Sequence, residues 1–234
     1  MLETVHSVLV LGAVVLGLGA WMRHQTQQAA AQRRRMADWA AADGWTWVAS
    51  DSRVPRLTVQ PPYSLSLDVP GDVLRGTVRD LPAVAYTDAV LNGRSRTSVQ
   101  VVAVRLPVPL PFLQVSPVVW GSWLGERGTD VDLESARFNE TYEVRTELPR
   151  YGHAVVHPRL MERLLAEPAP GLGWRTEGEW LWSWGPGPVD LDLVRRRLAL
   201  LEDVVASIPR HVWDDAAASR AVALDPDWLP DARS

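Results

Sequence analysis

VLRGTVRDLPAVAYTDAVLNGRSRTSVQVVAVRL, residues 73–106, is the stretch that sets the architecture. Val73 to Arg79, Ala83 to Val90 and Thr97 to Leu106 are short runs rich in β-branched residues, and Asn92-Gly93 marks a tight turn before the third. Three such runs assemble most economically as an antiparallel meander. Upstream, Trp45-Thr46-Trp47-Val48 alternates like a half-buried strand, and Ser50 to Pro70, with Pro55 and the pair Pro61-Pro62, reads as a long irregular connection.

Downstream, Leu106 to Trp120 carries Pro107, Pro109 and Pro111, which have no amide to give a central strand. A polyproline-type ligand is one use for such a segment. Its apolar intervening residues favour an edge segment packed on the sheet. Phe138 to Glu147 alternates as a strand. Pro158 opens a short helix carrying Leu160, Met161, Leu164 and Leu165. Trp174 to Trp184 holds four tryptophans around Glu177-Gly178 and predicts a hairpin. Val189 to Ser207 places Leu191, Val194, Leu198, Leu201 and Val205 on one helical stripe, with Leu198 expected to be buried against that hairpin. Arg195, Arg196 and Arg197 cannot all be buried, so the apolar stripe should face the sheet. From Asp214 the chain is acidic and alanine-rich, and composition predicts a disordered tail.

On the N-terminal side, VLVLGAVVLGLGAWM (residues 8–22) is an uncharged apolar run that ends at Arg23. Counted from Val5 it would span about 27 Å as a helix, close to the roughly 30 Å hydrocarbon core of a bilayer. It predicts a transmembrane anchor, with the lipid bilayer as its partner over residues 5–22. The flank before it has Glu3 and no arginine, whereas Arg23 and Arg33-Arg34-Arg35 follow it, so the N-terminus is expected outside and the domain in the cytoplasm. A signal peptide and an exported domain is the alternative, but the positive N-region is missing and the small-residue cleavage site is weak. Ala13 and Gly17 form a small-xxx-small pair through which two anchors could pack as a homodimer. His24 to Asp43 lacks Gly and Pro and stops at Gly44, so it predicts a juxtamembrane helix whose Met36, Trp39 and Ala40 share a docking face. The expected organisation is an anchor over 1–23, a juxtamembrane helix over 24–43, an α+β domain over 44–213 and an acidic tail over 214–234.

Composition closes several chemistries. The chain has no cysteine, and all 24 basic residues are arginine. A lysine Schiff base, a phosphate-loop lysine, a thiol nucleophile, an iron–sulfur cluster and a zinc ribbon are therefore excluded. A net charge of −4 argues against nucleic acid as a partner.

The remaining candidates are few. Arg33, Arg34 and Arg35 either grip anionic lipid headgroups or serve only as a topology signal. His153 and His157 are four apart, as zinc ligands on a helix would be, but Ala154 stands where a metalloprotease pattern needs Glu, and Pro158 forces His157 out of the helical region. Asp130, Asp132 and Glu134 alternate, so a strand would point all three carboxylates one way, toward a hard cation or an acid–base pair; a solvated loop is the plainer reading. Gly171-x-Gly173 and Gly185-x-Gly187 complete no dinucleotide fingerprint. Twelve tryptophans offer either an aromatic binding platform or core. No cofactor is expected.

One block carries a resemblance. ESARFNETYEVRTELPRYGHAVVHPRLMERLL (residues 134–165), continued by the tryptophan-rich segment and IPRHVWDD (residues 208–215), resembles a family of uncharacterised, mostly actinobacterial, membrane-anchored proteins. Its pattern is an acidic residue, an F-x-x-x-(Y/F)-x-V strand and a P-x-x-M-E-x-L-L helix. Here these are Glu134; Phe138, Tyr142 and Val144; and Pro158, Met161, Glu162, Leu164 and Leu165. The resemblance implies an anchored α+β domain and assigns no catalytic residue. The expected fold is thus an N-terminal transmembrane helix followed by an antiparallel sheet, a meander of pleckstrin-homology type, packed with a short helix and a long C-terminal helix. The expected function is a membrane-tethered, non-catalytic interaction domain that binds a protein or a lipid headgroup. The alternative is a hydrolase using Asp130, Asp132 and Glu134, or His153.

Overall fold

Antiparallel pairing is the organising feature, and it is built on one strand. The computed structural model describes residues 20–24, 27–28, 30–59, 63–120, 127–166 and 171–224. It divides into two units, Met1–Trp47 and Val48–Ser234. The predicted anchor, residues 5–22, lies outside the described residues except for its last three positions. Among the described residues no helix is long and apolar enough to cross a membrane.

In the first unit, helix α1 is continuous over 30–42. Gly44 adopts φ +72°, and the Trp45 amide returns to the Ala40 carbonyl at 2.6 Å, a left-handed cap that ends the helix where the sequence places its terminator. Met36, Trp39 and Ala40 are its buried positions, and the Trp39 and Trp45 rings lie 5.7 Å apart.

The second unit is α+β. Strand β1 (Thr46–Ser50), which enters it at Val48, is followed by β2 (Tyr63–Leu65), β3 (Gly71–Val78), β4 (Leu81–Asn92) and β5 (Ser95–Pro117). After these come β6 (Thr129–Asp130), α2 (Ala136–Thr141), β7 (Tyr142–Thr146), α3 (Pro149–Val155) and α4 (Pro158–Leu165), then β8 (Gly173–Pro186), α5 (Leu191–Ser207) and α6 (Arg210–Leu224). The strands form one sheet in the order β1-β3-β4-β5-β7-β6, with β2 beside β4 and β8 beside β5. Strands β3, β4 and β5 are the expected meander. Among the described residues the pairing path has two ends, so the sheet is open and does not close as a pleckstrin-homology barrel would.

The proline-rich run is open along one side, as an edge segment would be, but it sits inside a long strand. It lies within the 23-residue β5, which is central on both sides of it. β4 pairs with β5 up to Val104, and β7 begins at Leu113. β8 follows β5 throughout, but eight steps from Arg105 to Leu113 oppose four from Trp180 to Thr176. Pro107, Pro109 and Pro111 fall in that interval, where the ladder bulges and few amide donors are called for. The tryptophan segment is accordingly a single strand, β8, and not a hairpin, because β5 is long enough to pair with all of it.

The two faces of the sheet are covered differently. Trp182 and Trp184 join Val73, Val84, Tyr86, Val99 and Val101 in one core cluster. That face is covered by the irregular connection, whose Val54 and Leu57 are buried and whose Pro55 carbonyl accepts from Tyr86 at 2.6 Å. The opposite face, with Gln100, Ser183 and Gly185, receives α5. Helix α5 therefore covers the side away from Trp182 and Trp184. Its buried residues are Val194, Arg197, Leu200, Leu201 and Val204, while Leu198 is half-buried.

Two other segments differ from expectation. Residues 136–141 are helical where alternation suggested strand: Ser135 caps the helix by accepting from the Phe138 amide, and i, i+4 spacing stacks Phe138 on Tyr142 at 5.1 Å. Of the predicted tail, residues 214–224 continue α6 to Leu224, and 225–234 lie outside the described residues. Alanine's helix propensity and the buried Val212 outweigh its polar composition.

Candidate functional site

A cleft of about 850 Å³ opens between α3, α6 and the proline segment of β5. Pro109, Leu110 and Pro111 form its floor; Leu148, Arg150, Tyr151 and Ala154 form one wall, and His211, Val212, Asp215, Ala216 and Ser219 the other. The sequence builds each side for its own reason. Prolines bulge the floor out of the ladder. Pro149 starts α3 immediately after β7, and Pro209 precedes α6, so both helices leave the sheet at fixed points.

Hydroxyls satisfy the carbonyls that the bulge strands. Thr176 Oγ1 donates to the Pro111 carbonyl at 2.8 Å and accepts from the Tyr151 hydroxyl at 2.9 Å. Thr146 Oγ1 donates to the Phe112 carbonyl at 2.8 Å. Tyr151 thus turns only its ring toward the cleft, and burial pushes its phenol up to about 12. Phe112 packs against two guanidinium groups, Arg127 at 4.6 Å and Arg175 at 5.7 Å from its centroid. Glu177 pairs with both of them, and Glu147 pairs with Arg127. Arg175 also donates to the Thr58 carbonyl at 2.6 Å, and burial pulls its guanidinium down to about 10.

The polar groups on the cleft walls are in a different condition. Arg150 is exposed, and neither it nor the side chains of His211 and Asp215 make a hydrogen bond or ion pair among the described residues. Ser219 Oγ is turned back onto its own helix, donating to the Asp215 carbonyl at 2.9 Å. The cleft is therefore an apolar trough with an uncommitted cation on one wall, a form suited to holding a ligand.

None of the sequence candidates lines it. Asp130, Asp132 and Glu134 do share a side, alternating with buried Val131 and Leu133, but all three are exposed. His153 Nδ1 lies 4.0 Å from Glu134 Oε1, with both side chains largely in solvent. His157 is drawn away from His153 to cap α4: its Nδ1 accepts from the Leu160 amide, so the protonated Nε2 donates to the Ser207 carbonyl at 3.1 Å. Among the described residues no group of three or more His, Asp or Glu is placed to hold a metal ion. Arg33, Arg34 and Arg35 are exposed on α1. The α6 wall was missed because the composition after Asp214 suggested disorder; the i, i+1, i+4, i+5 recurrence of His211, Val212, Asp215 and Ala216 was the available signal.

No protein-family model matches the chain, and no curated protein does. One solved structure shares the fold, that of the mycobacterial trehalose monomycolate transport factor A, TtfA. It matches with a TM-score of 0.53 and 16% sequence identity, over 75% of this chain and 95% of that one. At this identity the likeness is one of fold.

Proposed function

We propose that the chain is a membrane-tethered interaction domain that acts by binding and performs no chemistry of its own. The observation that carries this reading is the cleft between α3 and α6, concave and apolar, in which none of Asp130, Asp132, Glu134 and His153 takes part. Asp130, Asp132 and Glu134 are exposed around buried Val131 and Leu133, and His153 meets Glu134 at 4.0 Å on the surface. Residues 5–22 supply the tether and the arginines after it place the domain on the cytoplasmic side. Arg33, Arg34 and Arg35 add a contact to anionic headgroups. A fold shared with a transport factor supports a role in which a component is held or handed on.

Chemical crosslinking of the tagged full-length chain in its own membranes tests this. Species captured by the wild type should persist with the double variant Glu134→Gln, His153→Ala and be lost with Ala154→Trp, which fills the cleft. Loss with the double variant, and none with Ala154→Trp, would favour the hydrolase.

A further inference from the structure

The geometry points to a specific occupant for the cleft: a long-chain fatty acid, its acyl chain on the proline floor and its carboxylate on Arg150. This rests on reading the domain as a binding module and names the class of its ligand. Size is the first argument. About 850 Å³ falls within the roughly 300–1,000 Å³ of small-molecule sites, whereas a stable protein interface takes roughly 800 Å² and 20–30 residues on each side. Twelve residues line the cleft, a lining that suits a chain-like molecule.

The walls set the chemistry. Pro109 and Pro111 offer no amide, the Tyr151 hydroxyl is committed to Thr176, and Leu148 leaves 52% of its surface in water. Covering Leu148 and the floor with an alkyl chain is favourable at roughly 25 cal/mol per Å². Arg150 decides the head. A guanidinium is always charged and meets a carboxylate in a two-bond fork, and Arg150 has no partner among the described residues. Asp215 on the facing wall repels an anion, so the head is directed to the α3 side, with His211 and Asp215 left to water.

The test uses the full chain in its own membranes with two photoactivatable, alkyne-tagged probes of equal chain length, a palmitic acid and a monoacylglycerol, followed by peptide mapping. The palmitic acid probe should label peptides of α3 and α6, and unlabelled palmitate should compete. Arg150→Ala should reduce that labelling about threefold to fivefold, as loss of one exposed charge pair implies, and leave the neutral probe unchanged. Arg150→Lys should restore part of it, and Ala154→Trp should abolish labelling by both. Equal labelling by the two probes, or acid adducts confined to other segments, overturns the fatty acid. So does a crosslink from the cleft to residues 225–234 or to a second copy that palmitate does not displace. In each of these cases the binding-module reading stands or falls separately, on whether Ala154→Trp still abolishes crosslinked capture from membranes.

Discussion

Arg197 carries a positive charge into the layer between α5 and the sheet with only neutral acceptors around it. Its guanidinium donates to Gln100 Oε1 at 3.2 Å, Ser183 Oγ at 2.9 Å and the Trp184 carbonyl at 2.5 Å, and burial pulls it down to about 10. A Cβ at position 185 would overlap Arg197 Nη2, so the strand needs glycine there for the arginine to pass. Arg197→Met removes an unpaired buried charge but strands three acceptors at about 1–3 kcal/mol each. A net loss of about 2–4 kcal/mol in denaturant unfolding is expected. A gain would mean that the charge costs more than its hydrogen bonds return.

Tyr151 gives a pH-dependent counterpart. Its phenol ionises near 10.0 in the unfolded chain and near 12 in the folded one. Below pH 10 both states hold the proton, and its contribution to stability is complete. Between 10 and 12 the unfolded chain releases the proton first, so stability falls as pH rises. From about pH 9 to about pH 11.5, the stability difference between wild type and Tyr151→Phe should swing toward the variant by about 2 kcal/mol. Arg175, Arg197, Tyr86 and Tyr142 are shifted in both proteins, and their effects cancel in that difference.

At the scale of elements, legibility followed periodicity. The meander, α4 and α5 were visible because their apolar spacing admits one structure. β5 and β8 were misread because the rule that proline interrupts a central strand is true of each ladder position, whereas a bulge with hydroxyl donors lets the chain pass through three prolines. The phase of α5 was misread for a related reason. Leu198, Leu200, Leu201, Val204 and Val205 support two neighbouring stripes, and the one that faces the sheet also contains an arginine that composition assigns to solvent. Leu201 and Val204 are fully buried and Leu198 half-buried. Leu201→Ala should therefore cost about 2–5 kcal/mol and Leu198→Ala about 1 kcal/mol or less, measured by thermal or denaturant unfolding. Equal costs would place the wrong face of α5 on the sheet.

For the whole molecule, the α+β class was legible, whereas the cleft was not, because it joins a floor and two walls whose residues run from Pro109 to Ser219. No local pattern encodes such a juxtaposition. The proposal of a membrane tether rests on the sequence of residues 5–22 and the arginines after them. A lone cysteine at Ser234→Cys should be shielded from an impermeant thiol reagent in intact cells and labelled after lysis; labelling before lysis would put the domain outside.

In the proposed reading the α3–α6 cleft, and not the exposed carboxylates, is where the protein meets its partner. Amide hydrogen exchange of the full chain tests it most directly, compared in native membranes and after reconstitution into vesicles of phosphatidylcholine alone. The prediction is that peptides of α3 and α6 lose protection on reconstitution while residues 129–134 stay unchanged, and that Ala154→Trp abolishes the difference. Unchanged exchange in α3 and α6, with protection lost over 129–134, would contradict it.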